Sequence, residues 1–149
     1  MATGAVVLAL AAVALVGCAA RQPDPTRAEA LSEPAAVTNR SALPVCGIEK
    51  AGQGGPWNDT GRACFWKAYQ DRRPAEFIST RPTTEGDPIT TIYRVLPGGA
   101  VEIFIDSTQD KFGDGRWDRL ACRTLAAFEN GSVANDFGPD DSCVATPLP

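Results

Sequence analysis

The chain has 149 residues with 18 acids against 14 bases, a net charge of −4 that argues against nucleic acid as a partner and against electrostatic adhesion to anionic lipid. It contains no histidine, which removes Ser–His and Cys–His nucleophile pairs, imidazole general bases and imidazole metal ligands together.

The first element is apolar. Residues 5–16, AVVLALAAVALV, carry no polar side chain, and the run extends to Ala20 before Arg21 ends it. Those 16 residues fall short of the roughly 20 that a membrane-spanning helix needs. They fit the apolar core of an export signal followed by small residues at a cleavage point. Leu15-Val16-Gly17-Cys18 resembles the lipobox of bacterial lipoproteins. The resemblance implies that residues 1–17 are removed as a lipoprotein signal peptide and that Cys18 carries a thioether-linked diacylglycerol. The mature chain would then sit on the outer face of the bacterial cytoplasmic membrane, held by two acyl chains, which suffice for stable anchoring.

Residues 18–45 read as a tether. After the cysteine, residues 19–45 hold seven alanines, four prolines and no aromatic side chain, so they offer too little apolar surface to offset the entropy of ordering. As a flexible chain this length holds a domain on the order of 30 Å from the membrane.

Residues 46–149 form one small domain that contains all three Trp, both Tyr and all six Phe. Its cysteines, Cys46, Cys64, Cys122 and Cys143, are an even set in an exported chain, and disulfides are the expected state. Three pairings are open. Cys46–Cys64 with Cys122–Cys143 is favoured, because each outer cysteine then ties down an end by bonding an interior partner. No CxxC spacing exists, so neither a thioredoxin-type motif nor a zinc knuckle is supported.

Within the domain, Asn58, Asp59 or Thr60 offers a helix N-cap and Pro74 a stop, predicting a helix over 60–72 with Cys64, Phe65, Ala68 and Tyr69 on one face. A short strand follows at 76–80. Two alternating runs, 89–96 and 101–106, flank Pro97-Gly98-Gly99 and predict a β-hairpin. Residues 117–124 fit a strand or a helix; a strand is preferred, extending the hairpin into a meander. The remaining segment is turn-rich. The expected class is α+β, one helix packed on a curved antiparallel sheet of about four strands with two disulfides.

Several of these motifs carry a resemblance: Leu15–Cys18, Gly61-Arg62-Ala63-Cys64-Phe65, Glu85-Gly86-Asp87-Pro88 before Tyr93-Arg94, Asp110-Lys111-Phe112-Gly113, Trp117, and Cys122-Arg123-Thr124-Leu125. Together they resemble small actinobacterial membrane lipoproteins of unknown function. The resemblance implies location and two disulfides, and no chemistry.

Candidate sites are few. No Ser lies three residues before Lys50, Lys67 or Lys111, so no SxxK dyad is present. Asp106, Asp110 and Asp114 recur every fourth residue, but the spacing is not that of a calcium loop, and Lys111 and Arg116 stand among them. They read as caps of a β-connection; no metal and no cofactor are expected. The glycine-rich Ala51–Gly55 resembles a phosphate cradle only in composition. If the helix covers one sheet face, Ile92, Arg94 and Phe104 point out of the other and form a possible partner face, unless the C-terminal segment covers them. The favoured function is therefore a non-catalytic binding or interaction module of the cell envelope, engaging an envelope protein, peptide or glycan. The alternative is a histidine-free hydrolase acting on envelope glycan or peptide through paired carboxylates such as Asp106 and Asp110.

Overall fold

In the computed structural model, Met1, residues 32–130 and residues 133–149 are described. Among the described residues the chain order is α1 (Ala35–Thr38), β1 (Val45–Lys50), α2 (Asp59–Gln70), β2 (Ala75–Pro82), β3 (Pro88–Val95), β4 (Val101–Asp106), β5 (Trp117–Cys122), β6 (Leu125–Asn130), β7 (Val133–Pro139) and β8 (Val144–Leu148).

Local chemistry sets α2. The Asn58 carboxamide oxygen accepts the Gly61 N–H at 2.9 Å, satisfying one of the unpaired amides of the first turn. Its far end closes with two bonds, Arg72 N–H to the Tyr69 carbonyl and Arg73 N–H to the Ala68 carbonyl, at 3.1 and 2.9 Å, and Pro74 then prevents continuation. The β3–β4 hairpin also forms where the alternation and the Pro-Gly-Gly turn predict it, with Val95 opposite Val101 and Tyr93 opposite Ile103.

The molecule is mostly sheet, with short helices and two disulfides, and its main sheet is larger than the sequence pattern suggests. Six strands run in the order β1–β2–β3–β4–β5–β8, with β6 and β7 as a separate pair. The expectation of about four antiparallel strands is corrected on both counts. β1 runs parallel to β2, with α2 as the crossover that a parallel pair requires. Two features hid the extra strands. In β1, Gly47 breaks the apolar alternation and Glu49 takes an inward position. β8 carries Pro147, which a strand accepts at a sheet edge, and the turn-rich composition around it masked β7 and β8.

Both sheet faces are covered. On one, α2 and the β6–β7 pair enclose Phe65, Phe77, Tyr93, Ile103, Leu120 and Phe137. Phe137 is central, with ring centroids 4.9 Å from Phe65 and 5.0 Å from Tyr93. On the other face, Ile92, Phe104 and Trp117 form a second core with Val37. The later part of the expected tether, from Pro34 onward, is therefore part of the domain. Pro34 and Val37 are buried, the Arg40 guanidinium donates to Glu76 at 3.1 Å, and the Ser41 carbonyl accepts from Arg94. This segment has no aromatic residue to mark it, but one valine and one arginine hold it because the sheet supplies the surface they bury against.

The disulfides are Cys46–Cys64 and Cys122–Cys143, separated by 18 and 21 residues. Loops of that size correspond to about 3 kcal/mol each in the chain-entropy description. One fastens the start of β1 to α2, the other the end of β5 to the segment before β8.

Candidate functional site

Among the described residues, two buried ion networks run through the domain. Under α2, Arg62 donates through Nε to Glu49 at 2.8 Å and through Nη1 to Asp136 at 2.9 Å, with a further short bond from Nη2 to Glu49. Glu49 also accepts the Asn58 N–H at 2.9 Å and the Ser79 hydroxyl at 2.8 Å. Arg81 reaches Asp136 at 2.7 Å. Burial alone would raise the Glu49 carboxyl, but the bonds from Arg62, Asn58 and Ser79 together hold it below its ordinary range. Two guanidiniums balance two carboxylates, so both acids are engaged in ion pairs.

The second network crosses the opposite face as an alternating chain, Arg40–Glu76–Arg94–Glu102–Arg119. The sheet register sets its centre, placing Glu76 opposite Arg94 and Arg94 opposite Glu102. Arg94 Nε donates to Glu76 at 3.1 Å and Arg119 Nε to Glu102 at 2.8 Å.

The first network continues outward into a groove of about 500 Å³ lined by Gly52, Gln53, Gly54, Trp57, Arg81 and Thr83. Trp57 is half-buried, and the Arg62 and Arg81 guanidiniums lie 5.4 and 4.9 Å from its ring centroid. Gln53 Nε2 donates to the Thr84 carbonyl at 3.0 Å, pinning the glycine-rich loop to the end of β2. The Trp57 indole N–H is buried without an acceptor among the described residues. A donor in that position costs on the order of 1–3 kcal/mol until it is paired. Arg81 keeps about a third of its side chain exposed while its charge is balanced by Asp136. The groove thus offers an indole, an amide, hydroxyls and a neutralised guanidinium, a set suited to a hydroxyl-bearing ligand.

The sites expected from sequence fall differently. Cys18 lies outside the described residues. Cys46, Cys64, Cys122 and Cys143 are paired. The partner face is corrected: Ile92, Arg94 and Phe104 are 4, 2 and 1 % exposed. They are closed over by α1 and the residues after it, and Arg94 is saturated by Glu76, Glu102 and Ser41. In the acidic loop, Asp106 accepts the Thr108 amide and hydroxyl at 2.9 and 2.6 Å, and Asp110 accepts the Phe112 amide at 2.9 Å. Asp114 pairs with Arg116 at 3.1 Å, and Lys111 is drawn away to the buried Asp87. These acids turn the chain individually. Among the described residues no group of three or more Cys, Asp or Glu is placed to hold a metal ion, and no helix is long and apolar enough to cross a membrane.

Comparison with known protein families, curated proteins and solved structures gave no match, so the functional reading rests on this chain's own residues. Arg81 and Trp57 escaped the sequence reading as a pair because 24 positions separate them. The available signal was the placement of charged residues at inward positions of β1 and β2, Glu49 and Arg81, where an apolar core alone would not put them.

Proposed function

We propose that the protein is an extracytoplasmic lipoprotein, anchored through Cys18 to the outer face of the bacterial cytoplasmic membrane. On this reading it is a non-catalytic binding module whose ligand is an envelope glycan. The domain that carries the groove is classed as α+β, one principal helix against a mainly antiparallel sheet. The location is supported by Leu15–Cys18 and by two disulfides, which persist in an oxidising compartment.

The observation that carries the binding reading is the unpartnered Trp57 indole N–H, buried in the wall of a groove whose Arg81 charge is already neutralised. A hydroxyl oxygen that displaces the cover over the ring would satisfy the indole, and other hydroxyls would find Gln53, Thr83 and the exposed edge of Arg81. A charged ligand gains less here, because Asp136 has taken the Arg81 charge.

Titrating the full chain in neutral detergent with soluble envelope glycan fragments, read by tryptophan emission, tests this. Saturable quenching is expected, and Trp57→Phe, which keeps an aromatic ring and removes both donor and reporter, should weaken binding measured by calorimetry about tenfold, the equivalent of 1.4 kcal/mol. Fragments that fail to bind, or bind Trp57→Phe equally well, would overturn the reading. For the anchor, Cys18→Ala should move the protein out of the detergent-rich phase; retention there would count against lipidation.

A further inference from the structure

The end of α2 contains an anomaly that stability does not explain. The two closing bonds, Arg73 N–H to Ala68 and Arg72 N–H to Tyr69, require the intervening residue to adopt a left-handed backbone, a position usually given to glycine. Here it is Arg72, at φ 54°, the only non-glycine residue with positive φ among the described residues. A side chain in that conformation is disfavoured by contact between its Cβ and the backbone.

The neighbouring turn is shaped around this arginine. A Cβ on Gly99 would stand 2.9 Å from Arg72 Cβ and 3.0 Å from its Cγ. The bare backbone of Gly99 therefore lets the arginine stem lie across the β3–β4 turn. That stem borders a depression of about 550 Å³ lined by Tyr69, Arg72, Gly98, Gly99, Arg123 and Thr124. Arg123 enters from the end of β5, a position fixed by the adjoining Cys122–Cys143 bond and by its own N–H, which donates to Ser142 Oγ at 3.2 Å.

Neither guanidinium has an ion-pair partner among the described residues, and two neighbouring acids, Asp71 and Asp140, are engaged elsewhere. Asp71 is held by Lys67 at 2.7 Å and Arg73 at 3.0 Å. Asp140 accepts from Thr124 Oγ1 at 2.6 Å and from the Ser142 N–H at 2.8 Å. A cation at a helix C-terminus offsets the macrodipole, which accounts for one positive charge at position 72. It does not account for a second from another element beside it.

We infer that this depression, between the end of α2 and the β3–β4 turn, is a binding site for a phosphate group. Two guanidinium forks present more donors than one carboxylate can accept, whereas a phosphate has oxygens for both. The site is independent of the groove at Trp57, which lies at the opposite end of β2. The same chemistry could come from a free phosphate or from a phosphodiester such as a lipid headgroup.

The test is calorimetric titration of the full chain in neutral detergent, with inorganic phosphate in one arm and glycerophosphoglycerol in the other. Saturable binding in at least one arm is expected, and the arm that responds identifies the source. Arg72→Gly and Arg123→Gln should each weaken it about tenfold, whereas Arg116→Gln, an equal loss of charge at the far end of the sheet, should leave it unchanged. Arg72→Gly should also melt no lower than the parent, since glycine suits the position; this separates lost binding from lost folding. Absence of saturable binding in both arms, or binding that survives the Arg72→Gly/Arg123→Gln double variant, would overturn the inference.

Discussion

Arg62 is a full charge in the middle of an apolar layer, tolerated only because its donors meet Glu49 and Asp136 in good geometry. A pair of this kind adds little net stability over an apolar replacement of both partners, but removing one partner costs about 3–5 kcal/mol, because the other is left charged and dry. Glu49 makes this arrangement sensitive to acid. Its carboxyl lies below 4.5 in the folded chain, so the unfolded chain takes up a proton first as pH falls. The stability it contributes is complete above 4.5 and is lost as pH drops from there towards the folded value. Asp87, lowered by its bonds with Lys111, acts in the same direction. Urea melts should therefore show stability falling steeply below pH 4.5 in the parent and less steeply in Glu49→Gln, whose absolute stability is lower at neutral pH. Parallel pH profiles for the two proteins would remove Glu49 from the explanation.

At the scale of elements, legibility follows how local the determinants are. The span of α2 and the β3–β4 hairpin were readable because an Asn cap, a Pro stop and a Pro-Gly-Gly turn act within a few residues. β1 was not, because it is specified by what lies above it. Gly47 and Gly61 face each other across the strand–helix contact, and a Cβ on either would come within 2.7 Å of Asn58 Nδ2. Gly61 in addition faces Phe77 Cε2, 2.9 Å from where its Cβ would lie. Alanine at position 61 would raise helix propensity by up to about 1 kcal/mol. The clash falls on the cap residue and on a fully buried ring, neither of which can retreat, and overpacking of this kind typically costs 1–3 kcal/mol. Gly61→Ala should therefore lower the denaturation midpoint; a rise would mean that α2 can lift from the sheet at little cost. The candidate sites were less legible still. Trp57 meets Arg81, and Arg72 shares a depression with Arg123, only through strand pairing and a disulfide, and nothing in the local sequence joins them.

At the scale of the whole molecule, the two sheet faces close by different means, and the difference locates the true start of the domain. One face is sealed by α2 and the β6–β7 pair, which the disulfides help hold. The other is sealed by residues 34–44, through Val37, Arg40 and the Ser41 carbonyl, a segment that composition alone assigns to a tether. Burying Val37 contributes about 1.5–3 kcal/mol, and its loss would not be the only consequence of removing the segment. Arg94 would lose the Ser41 carbonyl, Glu76 would lose Arg40, and Ile92, Phe104 and Trp117 would open to water. A chain beginning at Cys46 should thus keep both disulfides yet unfold at lower denaturant, bind a hydrophobic dye, and show red-shifted emission from Trp117. A chain beginning at Ser32 should match the longer forms in all three measurements. Equal stability for the two shortened chains would show that residues 32–45 rest on the sheet without holding it, and would return the domain boundary to Cys46.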